Sequence, residues 1–269
     1  MKSRSTPIIL PFFLLTSLYA AGQAVQVKQP AGLNMRGSYT MQKQTLDSGK
    51  GLSTLNVQQD KIYTDKYIMY AHRRSETDSL AEFGIGTYKI ENGQVIENMF
   101  YGSSGPVNGT YQLAITKRPD GYSQVIDFPG SDPAKHYILT EDYKNASKAM
   151  KTPLDGAWKQ VRNVTISPDG KTMADDHPTQ YKIYESGHYM WANTSKDSSG
   201  KLLSFYGYGT FDMPRPDEVT ELTSSSTFTS ALVGQPVTVK IKFLGKDSYE
   251  QTITWPDGSK LVETYERMK

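Results

Sequence analysis

The chain has 269 residues with 30 basic and 28 acidic side chains, a formal charge of +2, which leaves no concentrated basic face of the kind that nucleic acid requires. It has no cysteine, so thiolate catalysis, disulfides, cysteine-ligated zinc and iron–sulfur clusters are excluded, and imidazole chemistry is confined to His72, His136, His177 and His188. Its 18 tyrosines, 9 phenylalanines, 22 glycines and 14 prolines suit many short strands joined by turns.

The first 24 residues read as a secretory signal peptide: Lys2 and Arg4, an apolar run from Pro7 to Ala21, then Gly22 and Ala24 at the −3 and −1 positions of a cut before Val25. An uncleaved anchor is the competing reading, but the run is short of the roughly 20 residues a span needs and holds two prolines. No cysteine follows the cut to carry a lipid, and no later stretch is apolar enough for a membrane helix. The mature protein is expected in a periplasm or outside the cell.

From there the chain repeats itself. Gly37-Ser38-Tyr39 matches Gly156-Ala157-Trp158, and Lys61-Ile62-Tyr63 matches Lys182-Ile183-Tyr184. Tyr67 to Ala71 parallels His188 to Ala192; Gly84 to Tyr88 parallels Gly207 to Phe211; Val95-Ile96-Glu97 parallels Val219-Thr220-Glu221. Tyr122 to Ile126 meets Tyr249 to Ile253. The order never changes and the offset drifts slowly, as small loop insertions require.

Each half alternates in the manner of strands, with turns at Glu91-Asn92-Gly93, Pro119-Asp120-Gly121, Pro168-Asp169-Gly170 and Pro256-Asp257-Gly258. The expected fold is all-β: two tandem antiparallel meander barrels, residues 32–144 and 154–269, joined by a linker over 145–153. Closure removes exposed edges, and short connections favour a barrel over an open sandwich. The best helix candidate is Glu141 to Met150, as a cap or link.

These residues carry a resemblance. Each half resembles the lipocalin-like (calycin) barrels, in particular small uncharacterised lipocalin-like domains of secreted bacterial proteins. Gly156-Ala157-Trp158 is similar to the Gly-x-Trp that opens their first strand. The resemblance implies that Arg267 lies across Trp158, a cation–π contact that seals one end. The first half departs, with Tyr39 in place of Trp and Lys144 as its closing basic residue at an open register.

A barrel of this size is filled by side chains or holds one small ligand. The candidate ligand-binding residues are Tyr70, Tyr88 and Glu97 in the first half and Tyr189, Trp191, Tyr208, Phe211 and Glu221 in the second. Glu97 and Glu221 are either site carboxylates among apolar neighbours or partners in an ion pair that fixes the fold. The aromatic residues line a pocket wall or pack a core. No catalytic constellation, metal site or cofactor motif is assigned: Asp175-Asp176-His177 has poor strand geometry for one metal, and Gly84-Ile85-Gly86 lacks the third glycine of a dinucleotide loop. Sequons at Asn108, Asn145, Asn163 and Asn193 matter only in a host that glycosylates exports.

Three functions stay open at this point. One is a binding protein for a small apolar or amphipathic ligand. The second is a structural or interaction module with filled barrels and an unknown protein partner. The third is a hydrolase or isomerase using Glu97 or Glu221. Pairing of the two barrels within the chain is expected in each case.

Overall fold

A computed structural model describes residues 32–73, 82–129 and 136–269; the expected leader and its cut lie outside them. The first half forms β1 (Gly37–Asp47), β2 (Leu52–Leu55), β3 (Gln58–Tyr63), β4 (Tyr67–Arg73), β5 (Glu82–Glu91), β6 (Gln94–Gly102), β7 (Gly105–Arg118), β8 (Gly121–Pro129) and β9 (His136–Asn145). The second forms β10 (Gly156–Ile166), β11 (Thr172–Asp175), β12 (Tyr181–Glu185), β13 (His188–Lys196), β14 (Leu202–Arg215), β15 (Glu218–Ser226), β16 (Pro236–Gly245), β17 (Ser248–Thr254) and β18 (Lys260–Arg267).

Every neighbouring pair is antiparallel, and each half closes on itself through β1–β9 or β10–β18. β2 and β3 pair with successive stretches of the same strand, Gln44–Asp47 and Gly37–Thr40 of β1, so they share one barrel position. β11 and β12 do the same along β10. The chain is therefore two eight-position barrels in tandem. Hairpin chemistry follows the sequence: Asn92 and Gly93 both take left-handed backbone, at φ 47° and 71°, which a tight two-residue turn requires.

Period-two alternation sorts each strand into a lumen face and an outer face. Tyr39, Tyr63, Ile68, Val95, Met99, Leu113, Tyr122 and Tyr143 fill the first lumen. Trp158, Tyr184, Tyr189, Phe211, Val219, Val239, Tyr249 and Tyr265 fill the second. The expected helix over 141–150 does not form. Glu141 and Tyr143 are buried while Asp142 and Lys144 are not, a strand alternation that carries β9 to Asn145.

One end of each lumen is sealed by aromatic rings. In the second barrel Tyr249 meets Trp158 edge-on at 4.7 Å and stacks on Tyr265 at 5.0 Å. Tyr122 does the same with Tyr39 and Tyr143, both at 4.9 Å. The Arg267 guanidinium lies 4.0 Å from the Trp158 ring centre and donates to the carbonyls of Asp155 (2.7 Å) and Pro153 (2.8 Å). Arg267 stands opposite Trp158, and Asn145 stands opposite Tyr39. The closing position of the first half is therefore Asn145, not Lys144, which points out on the exposed face. A bulge between Met41 and Lys43, repeated between Gln160 and Arg162, sets that register.

The outer faces of the two barrels meet. Ile62, Met69, Ala71, Phe83, Ile85 and Tyr101 of the first half bury against Ala157, Tyr181, Ile183, Met190, Ala192, Tyr206 and Tyr208 of the second. Polar bonds cross the same seam: Ser38 to Tyr208 (3.1 Å), Tyr101 to Thr194 (2.5 Å) and Arg36 to Glu185 (3.0 Å). No helix among the described residues is long and apolar enough to cross a membrane.

Candidate functional site: the lumen of each barrel

Five strands send polar side chains into the middle of the second lumen. Lys182 on β12 lies 2.7 Å from Glu221 on β15 and donates to Gln251 on β17 at 3.2 Å. The Tyr184 hydroxyl donates to the same Glu221 oxygen at 2.6 Å. Glu263 on β18 accepts from Gln160, Gln251 and Gln180, the last at 2.9 Å, and from Tyr265. The first barrel repeats this. Lys61 meets Glu97 at 3.4 Å and Gln124 at 3.3 Å, and Tyr63 donates to Glu97. Glu141 accepts from Gln44 (2.6 Å), Gln124 (2.6 Å) and Tyr143 (2.9 Å).

All of these charges are buried. Taking a lysine and two carboxylates out of water costs several kcal/mol per ion, so each must find partners inside. The lysine goes to the first carboxylate, while the hydrogen-bond donors of the second are neutral amides and a tyrosine. Burial pushes Glu263 above the usual carboxyl range. Burial also raises Tyr63, Tyr143, Tyr184 and Tyr265 well above an ordinary phenol, so they serve as hydrogen-bond donors and not as phenolates.

Seven of the eight residues expected from the sequence contribute to the lumens. Glu97 and Glu221 sit at the centre as above. Tyr88 packs edge-on against Tyr63 at 5.0 Å and bonds the Thr64 carbonyl at 2.7 Å. Phe211 meets Tyr184 at 4.8 Å, and the Tyr189 hydroxyl bonds Thr223 at 2.6 Å. Tyr70 and Trp191 lie across glycines of the next strand: a Cβ at Gly84 would come within 2.5 Å of the Tyr70 ring, and one at Gly207 within 2.4 Å of the Trp191 indole. Tyr208 is different. It lies three residues from Phe211, hence on the other face, and is buried in the seam between the barrels.

Away from the Arg267 seal, the second lumen changes character. Trp191 is half-buried, and Phe228 meets it at 6.2 Å and Phe205 at 5.7 Å. Phe228 is 61% exposed, a large aromatic surface at a rim. Asn193 stands opposite Phe205 across the strands, and Asn163 lies on β10. Asn163 is paired across the strands with Glu263, and the Asn193 amide donates to Gln180 at 3.0 Å. The side-chain oxygens of both asparagines are buried and have no hydrogen-bond partner. An unpaired buried acceptor costs about 1–3 kcal/mol and needs a reason. Asp175-Asp176-His177 has a structural account instead: Asp175 accepts from the His177 amide at 2.8 Å, and Asp176 pairs with Arg162 at 3.0 Å.

The polar network beyond Glu97 and Glu221 was not singled out in the sequence. Its signal was there: Lys61 and Lys182 recur two residues before a repeated tyrosine, and Gln124 and Gln251 recur inside a matched strand. A polar residue repeated on the same face as a repeated aromatic marks an interior polar position.

No protein-family profile matches the chain, and no curated protein matches its sequence. Among solved structures, the chain is similar to a lipocalin-like protein from Bacteroides uniformis at 14% identity and a TM-score of 0.29, over 44% of this chain and 100% of that one. It is similar to an uncharacterized protein from Bacteroides eggerthii at 17% identity and a TM-score of 0.27, over 43% of this chain and 99% of that one. It is similar as well to a protein of unknown function of the DUF3598 family from Nostoc punctiforme, at 14% identity and a TM-score of 0.27, over 87% of this chain and 96% of that one.

Proposed function

We propose that this is an exported binding protein, and that the end of the second lumen away from the Arg267 seal holds a small amphipathic molecule. The observation that carries the reading is the buried, unpaired oxygen of Asn193, which stands opposite Phe205 and two residues from Trp191 on β13, next to the exposed Phe228 ring. Such a site gives an apolar body an aromatic wall and gives its polar end an acceptor to meet. The centre of each barrel is crossed by the protein's own side chains, which supports a ligand at the rim and not one threaded through. That same crossing favours the second reading, a filled structural barrel, for the sealed half of each lumen. An acid–base role for Glu97 or Glu221 has less support, because each already binds a lysine and a tyrosine.

Native mass spectrometry of the protein purified from its own host tests this. The expected result is a chain that begins at Val25 and carries an added small mass, released on denaturation and lost in Trp191→Ala. A clean mass for the bare chain, with no adduct at any purification stringency, would point to filled barrels. A chain that still begins at Met1 would remove export.

A further inference from the structure

We propose that the cleft between the two barrels, at their sealed ends, is a separate binding site for a guanidinium or ammonium group on a short chain that also bears a carboxylate, as in a basic amino acid or the basic C-terminal end of a peptide. The site lies outside both lumens and does not depend on the lumen reading. The cleft has a volume of about 380 Å³ and includes Arg267, the residue that covers Trp158. A second hollow of about 370 Å³ opens on the linker side, and Arg36, Asp155 and Glu185 line both. Each is within the size range of small-molecule sites.

The shared wall is made where the repeat breaks. Arg36 and Asp155 each stand one residue before the opening glycine of their half, Gly37 or Gly156. Thr64 and Glu185 each follow the repeated Lys-Ile-Tyr. One half therefore supplies a guanidinium and a hydroxyl where the other supplies two carboxylates.

Both carboxylates are buried, with side chains 5% exposed at Asp155 and 3% at Glu185. One oxygen of each is bonded: Asp155 accepts from the Thr152 hydroxyl and Glu185 from the Ser186 hydroxyl, both at 2.9 Å. The other oxygen of each accepts no hydrogen bond. Arg36 stands by both, its Nε 3.0 Å from Glu185 and its Nη2 4.0 Å from Asp155, while its aligned bond goes outward to Asp65 at 2.9 Å. One guanidinium thus serves three carboxylates. Burial raises the Asp155 carboxyl above its ordinary value, and the charge of Glu185 adds to the rise. A cationic donor in the cleft meets two ready acceptors and offsets the excess negative charge. Lys66 and Lys246 line the same cleft from exposed positions, where they suit a carboxylate at the other end of the ligand.

Isothermal titration near neutral pH with L-arginine, L-citrulline, agmatine and glycyl-glycyl-L-arginine tests the proposal. Citrulline replaces the guanidinium by a neutral urea of similar shape, and agmatine lacks the carboxylate. Arginine or the tripeptide should bind about tenfold or more tighter than citrulline, with agmatine weaker than arginine. The tighter of arginine and the tripeptide tells a free amino acid from a peptide end. Asp155→Asn keeps the acceptor for Thr152 and removes the charge, and Glu185→Gln does the same at the other carboxylate. Each should bring arginine close to citrulline. A general loosening of the cleft weakens both ligands alike, so their ratio reads the charge. Citrulline binding as tightly as arginine, or no binding of arginine and the tripeptide at millimolar concentration, overturns the proposal. An arginine preference that survives both variants overturns the assignment to Asp155 and Glu185. Agmatine binding as tightly as arginine overturns the carboxylate half of the ligand.

Discussion

At the scale of single residues, the two lumens are organised by buried charge. Lys182 and Glu221 are both nearly inaccessible, and neither can lose the other without stranding an ion away from water. Glu221→Leu should therefore cost roughly 3–5 kcal/mol in urea unfolding, and Lys182→Met in the same chain should restore much of it. Equal stability of the single and double variants would contradict the ion-pair account. Glu97 and Glu221 were legible in the sequence as repeated carboxylates on an apolar face. Their lysines were not, because a lysine in a strand reads as solvent-facing until its partner, some 36 or 39 residues on, is known. Nor were Asn163 and Asn193, which look like sequons and turn inward.

At the scale of elements, alternation decides what a strand contributes. Tyr208 and Phe211 looked like one aromatic wall, but an odd spacing places them on opposite faces of β14, one in the seam and one in the lumen. The same parity separates Phe83 and Ile85 from Tyr88 on β5. The segment after Glu141 shows the converse. Its mix of Glu, Lys and Ala suits a helix locally, yet Glu141 and Tyr143 are drawn into the lumen by Gln44, Gln124 and Gln59, and that pulls β9 to its end. Tertiary partners outrank local preference there. The hairpins at Asn92-Gly93 and Pro119-Asp120 were legible, since such turns act within a few residues, while those at Ser186-Gly187 and Lys246-Asp247 were not singled out. The first-half seal was not, because the bulge that sets its register leaves no mark in the sequence.

At the scale of the whole molecule, the seam joins the two barrels into one body, and it carries a titrating group. Asp60 lies on the outer face of β3 beside Tyr208, accepts from Thr40 at 2.8 Å, and is pushed up to about 6 by burial. A carboxyl raised above its unfolded value makes the folded protein bind the proton more tightly. Its contribution is present below the unfolded value near 4 and is lost as pH rises through about 6. Relative to Asp60→Asn, the unaltered protein should gain roughly 2–3 kcal/mol as pH falls from neutral toward 4, read by urea unfolding. Parallel pH profiles for the two proteins would remove Asp60 from the account. The central claim, a ligand at the end of the second lumen away from Arg267, is tested most directly by fluorine NMR of protein labelled with fluorotryptophan and titrated with decylamine, decanol and decanoate as probes. Trp191 stands at that end, and Trp158 is sealed under Arg267 at the other. The account predicts that at least one probe shifts the Trp191 resonance saturably while Trp158 stays in place. A Trp191 signal that no probe moves, or one that moves only together with Trp158, would contradict it.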